Sequence, residues 1–139
     1  MKLSVKSDYA VRAVLSLARR YGAESVTRVE NLAEENGIPS SYLVQIMIDL
    51  KSGRIVRSLR GKEGGYQLAR PPSEITFAEV IHCIHGPLFD SPALSDDRCP
   101  PELKAVWSRL ARAVETEASS VNFQQLADAS PLRSASFDI

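Results

Sequence analysis

The sequence predicts a mostly α-helical chain built on a winged helix-turn-helix, followed by a long amphipathic helix near the C-terminus. Three observations carry this prediction. Two short helical segments meet at a tight turn within residues 27–52. A basic, glycine-rich loop separates two β-prone runs within residues 54–70. A run of helical apolar periodicity covers about 101–119. At 139 residues the chain can bury a core without disulfide staples.

The elements follow in order. In "SDYAVRAVLSLARRYG", Ser7 is the expected N-cap, and Tyr9, Val11, Val14, Leu15, Leu17 and Ala18 recur near helical spacing. Arg19 and Arg20 then place cations where the helix dipole favours them. In "TRVENLAEENG", Thr27 and Glu30 have the spacing of a capping box and Gly37 is the stop, which predicts a helix over about 28–36. "IPSSYLVQIMIDLKSGR" starts a further helix after Pro39. Leu43, Ile46, Met47 and Leu50 form its buried face, Tyr42, Gln45 and Asp49 fall opposite, and Ser41 lies near them.

"RIVRSL" and "GYQLAR" predict two short strands joined by "RGKEGG". Gly61, Gly64 and Gly65 permit unusual backbone geometry and close approach there, while Arg60 and Lys62 carry cations to the tip. A basic hairpin directly after a helix-turn-helix predicts a wing, suited to phosphates or a groove. "PPSEITFAEVIHCIHGP" opens on a proline break, expected as a domain seam. Thr76 caps a helix with the apolar stripe Phe77, Val80, Ile81 and Ile84, ended by Gly86 and Pro87. Residues 88–101 are expected to be loop. Leu103, Val106, Leu110, Val114 and Ala118 then mark the long helix over about 101–119, and Asn122 caps a last short one.

Charge divides the chain in two. Lys and Arg equal Asp and Glu at 17 each, but residues 1–72 hold 12 cations against 7 anions and residues 73–139 hold 5 against 10. Within 51–70, Lys51, Arg54, Arg57, Arg60, Lys62 and Arg70 face only Glu63, so the first half suits a polyanion. We therefore expect a DNA-binding unit over 1–72 and a region with a different task over 73–139. No apolar run approaches the roughly 18 to 20 residues that span a bilayer, and "MKLSVKSDYAVRAV" has no signal-peptide pattern, which predicts a cytoplasmic protein with no membrane partner. No nucleotide-binding loop, nucleophile elbow or metalloprotease helix occurs, so no enzyme is expected.

The second half holds the soft and redox-active side chains. Cys83 and Cys99, in a reducing compartment, are candidates for free thiols, ligands or sensors. His82 and His85 stand at i and i+3 and are able to share a metal, while Cys83 lies about 100° from the centre of its helix's apolar stripe. A third ligand would have to come from Cys99, from an aspartate of 90–97, or from a partner subunit. Cys99, beside two prolines at a helix start, is expected to be the more reactive thiol if the signal is redox. Cys83 with a histidine is expected to matter more for a metal or cofactor.

The succession "SDYAVRAVLSLA", "IPSSYLVQIMIDLKSGRIVRS" and "RGKEGGYQLARPPSEITFAEVI" resembles the Rrf-two family of bacterial winged-helix transcription regulators, the IscR, NsrR and CymR type. The resemblance covers the chain in order, and the wing-to-helix segment is its most specific part. It implies a homodimer that binds a double-stranded DNA operator and answers a redox, metal or metabolic signal. It implies DNA contacts at Ser40, Ser41, Tyr42 and Gln45 on the recognition helix and at Arg60, Gly61 and Lys62 on the wing, with Gln45 addressing a base and the serines binding phosphate. It also implies that residues 73–139 form the sensory loop and dimerisation helix region, with pairing through the long helix at Val106, Leu110 and Val114. Cluster-binding members carry three cysteines before that helix, whereas this loop has only Cys99; Asp8 matches a position that some members use as a non-cysteine ligand. A standard three-cysteine iron-sulfur cluster is therefore not expected, the cofactor is unassigned, and a non-standard metal or cofactor site stays open. The alternative is a winged-helix protein-interaction module acting through a metabolic enzyme.

Overall fold

The structure is a computed structural model, and it describes residues 3–23, 26–61 and 64–129. Among the described residues six α-helices and one two-stranded sheet follow in the order α1 (Val5–Ala18), α2 (Val29–Asn36), α3 (Ser40–Ser52), β1 (Val56–Leu59), β2 (Gly65–Leu68), α4 (Phe77–Ile84), α5 (Pro101–Ser119) and α6 (Phe123–Asp128). The mostly α, winged helix-turn-helix expectation holds.

Helix α1 begins earlier than expected. Ser4 is the N-cap, its Oγ accepting from the Ser7 amide at 3.3 Å, and Ser7 itself is buried inside the first turn. The extra residues carry Lys6 to Asp49 of α3, 2.7 Å away, a tie that a start at Ser7 would forfeit. Helix α2 also departs from expectation, because Thr27 and Glu30 form no capping box. Arg28 is the N-cap without a side-chain bond, and Thr27 exchanges two backbone hydrogen bonds of 2.8 Å with Tyr66. Pairing with β2 satisfies the Thr27 backbone, so the segment before α2 serves as an extra edge of the wing.

β1 and β2 pair antiparallel with Val56 opposite Leu68 and Leu59 opposite Gly65. The glycines of the wing have steric reasons. A Cβ on Gly65 would come within 2.5 Å of the Thr27 carbonyl oxygen, and one on Gly64 within 2.4 Å of that of Leu59. Gly61 has φ +112°, a conformation that glycine alone adopts readily.

The main core lies under α3. Leu43, Ile46, Met47 and Leu50 are fully buried as their spacing predicts, packed with Val14 of α1 and Leu32 of α2. This core continues past residue 72: Ile75, Val80 and Phe123 belong to it, and α1 packs on α4 and α6 as well as on α2 and α3. Thr76 caps α4 through Oγ1, and Asn122 with Gln125 forms a full capping box on α6. Between α4 and α5 the expected loop contains one 3-10 turn, Pro92–Ser95, started by a Ser91 cap.

Helix α5 has the predicted bounds but only Ala118 is buried in it. Its C-terminal part rests on α4 through a second apolar cluster, Ala78, Ile81, Leu88 and Ala118, with Val114 packed against it. Leu103, Val106, Trp107 and Leu110 stay open. No helix among the described residues is long and apolar enough to cross a membrane.

Candidate nucleic-acid interface and the joint behind it

Helix α3 presents its N-terminal turn and outer face to solvent, so Ser40, Ser41 and Gln45 are exposed. Two residues placed on that face by the sequence prove to be its flank toward α1. Tyr42 stands edge-on to Tyr9 with ring centroids 5.6 Å apart, and the Arg12 guanidinium lies 5.9 Å from the Tyr9 ring centre. Asp49 takes Lys6 and also accepts from Gln45 Nε2 at 3.2 Å. The Lys6 ammonium, with the Gln45 amide adding to it, holds the Asp49 carboxyl below its ordinary value against a smaller upward push from burial. Asp49 thereby orients Gln45: one N–H is engaged, and the second N–H and Oε1 stay available to a base. The residues that sequence reading missed on this face are Val44 and Ile48, each 46% exposed.

The C-terminal end of α3 runs into the wing through a shallow groove lined by Lys51, Arg54, Arg57, Arg60 and Arg70, with Ser58 and no carboxylate among the described lining residues. Arg57 is fixed across the hairpin by Gln67 Oε1 at 2.6 Å. Arg70 is held at the wing root by Glu79 and by the carbonyl of Glu74 at 3.0 Å. Arg60 and Gly61 lie exposed at the tip, and Lys62, the third expected wing contact, falls outside the described residues.

Behind this face, α4 joins α3 and the wing to α5. His82 Nε2 lies 2.7 Å from Glu115 of α5, so it faces α5, while His85 is exposed at the C-cap of α4. Burial pushes the Glu115 carboxyl up, but the hydrogen bonds from His82 and the Leu88 amide outweigh it and leave it below its ordinary value. Cys83 is half-buried and donates to the Asp49 carbonyl at 3.3 Å. Its thiol is pushed up by burial first, then by the negative charges of Asp49 and Glu79. Cys99, also half-buried, stands before α5 with its sulfur 3.6 Å from the Pro100 carbonyl. Asp8 is exposed and paired with Arg12 at 2.9 Å. Among the described residues no three His, Cys, Asp or Glu side chains converge on one point, so the sensor candidates do not assemble into a metal centre within one chain.

The sequence matches the Rrf2 family, described as iron-dependent transcriptional regulators, over residues 3–129. A Mycobacterium tuberculosis relative named as an HTH-type transcriptional regulator, Rv1287, is 49% identical over 88 residues, 63% of this chain. The alignment spans about half of that relative's length, 54%. The regulator CymR of Bacillus subtilis is 32% identical over 127 residues, 91% of this chain and 90% of CymR. The solved structure of CymR, titled the global cysteine regulator of that organism, superimposes with a TM-score of 0.83 at 30% identity, over 94% of this chain and 98% of the other. A winged helix-turn-helix with its basic wing, matched from residue 3 to residue 129 by one family, places this chain in the Rrf2 family of transcription regulators.

Proposed function

We propose that the protein is a homodimeric, sequence-specific DNA-binding transcription regulator that reads duplex DNA with α3 and the wing and pairs through α5. The observation that carries this reading is the basic groove from Lys51 through Arg54 and Arg57 to Arg60, which holds no carboxylate among the described residues and continues the exposed face of α3. Cations along such a track displace counterions from phosphates and supply affinity for any sequence. Ser40 and Ser41, at the exposed N-terminus of α3, suit a further phosphate, and Gln45 suits adenine in the major groove. Pairing through α5 covers Leu103, Val106, Trp107 and Leu110, an apolar face that soluble monomers rarely expose, and sets two reading heads on a two-fold operator.

The family's description names iron, and among the described residues of one chain the donors do not converge on an iron site: His82 is turned to Glu115, Asp8 to Arg12, and Cys83 to a backbone carbonyl. We assign the signal instead to a redox or metabolic input acting on Cys83 or Cys99. The test is a salt titration against a duplex enriched from random sequence. Affinity should fall steeply from about 50 to 200 mM salt. Arg60→Ala should weaken all duplexes and reduce the slope by about 1, while Gln45→Ala should lose about 1 to 3 kcal/mol mainly on the enriched site. A flat salt response, untouched by Arg60→Ala, would favour an enzyme partner on this surface and overturn the DNA reading.

A further inference from the structure

Helix α3 sorts its side chains strictly on one side and not on the other. Leu43, Ile46, Met47 and Leu50 have no exposure, yet Val44 and Ile48 each keep 46%. At 100° per residue, Ile48 points about 150° away from the centre of the buried stripe and Val44 about 110°, with only about 40° between them. They form one apolar strip beside Ser41 and Gln45, on the flank opposite Tyr42 and Asp49. Both are β-branched, so their methyl groups are held in few rotamers and lose little freedom on contact.

What would cover this strip must be apolar at a point and anionic around it. Along the Val44 flank the surface continues into Lys51, Arg54, Arg57 and Arg60, and none of the described residues lining that groove is acidic. In the major groove of DNA, where phosphates surround the base edges, the apolar feature offered to a side chain is the C5 methyl of thymine. We propose that Val44 and Ile48 read thymine methyl groups in each operator half-site, next to the base addressed by Gln45. The inference rests on the DNA-binding reading and adds a specificity term that hydrogen bonds do not supply.

The probe is the duplex enriched from random sequence by the full chain, remade with deoxyuridine for thymine one position at a time, which removes the methyl and nothing else. At one or two positions per half-site the exchange should lower affinity about four-fold, and about 16-fold when made in both half-sites, on the scale of one buried methylene-sized group each. Val44→Ala and Ile48→Ala should bind the thymine duplex more weakly and become indifferent to uracil at their own positions. Both should melt as the parent does, since neither residue is in the core. If no uracil exchange changes affinity, or if both variants keep the parent's response at every position, the inference fails while the DNA reading stands. If no sequence is enriched, the DNA reading itself fails and the inference with it.

Discussion

Replacing Leu110 by glutamate should split the proposed α5 dimer and leave the fold intact. Leu110 is 45% exposed, belongs to neither apolar cluster, and lies beside Val106 at 40% and Trp107 at 37%. Fully burying a leucine contributes about 1.5 to 3 kcal/mol, so covering the part still open contributes about 1 kcal/mol per copy and about 2 kcal/mol in a two-fold dimer. A carboxylate forced into the covered face adds a desolvation penalty of at least about 2 kcal/mol per copy. The combined loss, roughly 6 kcal/mol, weakens association more than 10⁴-fold by order of magnitude. Glutamate and leucine have similar helix propensities, and Leu110 lies outside both apolar clusters, so the melting temperature of the monomer should shift little. Sedimentation velocity over about 1 to 50 µM protein separates the outcomes, a range that brackets ordinary dimer affinities. Operator binding should weaken with the loss of the second head. Val114→Glu is the contrasting variant: Val114 packs against Ala78, Ile81, Leu88 and Ala118 within its own chain, so that change should unfold or strongly destabilise it. A folded Leu110→Glu protein that still sediments as a dimer would refute pairing through this face.

Three further outcomes are expected. Because Lys6 favours the ionised form of Asp49, the folded pKa lies below the ordinary 3.8; the resulting stabilisation is present above that value and is lost as pH falls through the lowered one. Asp49→Asn should therefore flatten the acid limb of the melting curve below about pH 5, and parallel curves for variant and parent would contradict this. Gly53→Ala should destabilise by about 1 to 3 kcal/mol, since the added Cβ would lie 2.6 Å from Cys83 Sγ, and Cys83→Ala should recover most of the loss; additive melting temperatures would disprove the clash. In a Cys99→Ser background, alkylation of Cys83 should show its midpoint above the ordinary thiol value of 9.0, because burial and two carboxylates favour the neutral thiol. A midpoint at or below that value would contradict this account of its surroundings.

Much of the fold was legible because its signals are local. The Thr76 cap, the Asn122 cap, the Pro101 start of α5 and the apolar spacing of α3 depend on neighbours within a turn or two, and all appear where the sequence puts them. The misreadings share a different cause. Thr27 and Glu30 have capping-box spacing, but the Thr27 backbone finds Tyr66, 39 positions along the chain, and that pairing wins. Ser7 is as good a cap as Ser4 by residue type; what favours Ser4 is Lys6 reaching Asp49 on another helix. Polar residue type draws Tyr42, Gln45 and Asp49 to the outward face of α3 and passes over Val44 and Ile48, which are as exposed as Tyr42. A helical wheel gives angles, but only the position of α1 shows which angle faces solvent. His82 with Glu115 is a pair 33 residues apart that no spacing rule finds.

The placement of α4 decides what either cysteine could do. This short helix is tied to the reading helix by Cys83 on the Asp49 carbonyl, to the wing root by Glu79 on Arg70, and to α5 by His82 on Glu115. A displacement of α4 must therefore break one of these ties or carry the reading head with it. A group added to Cys83 Sγ would enter the cavity that Cys83 lines with Asp49, Ser52 and Gly53 at the end of α3, and so bear on that turn. That site acts on DNA contact within one subunit, and the same burial that gives it leverage slows its chemistry. Cys99 has the opposite character: it precedes α5 at the end remote from Val114, Glu115 and Ala118, where that helix rests on α4. Modification there bears on the entry to the pairing helix and leaves α3 untouched, so its effect on DNA must pass through the spacing of the two heads. A Cys83 signal should thus alter binding to a single half-site, whereas a Cys99 signal should alter binding only to the full two-fold site; half-site and full-site duplexes measured side by side distinguish them, and a Cys99 adduct that weakened half-site binding would refute this division.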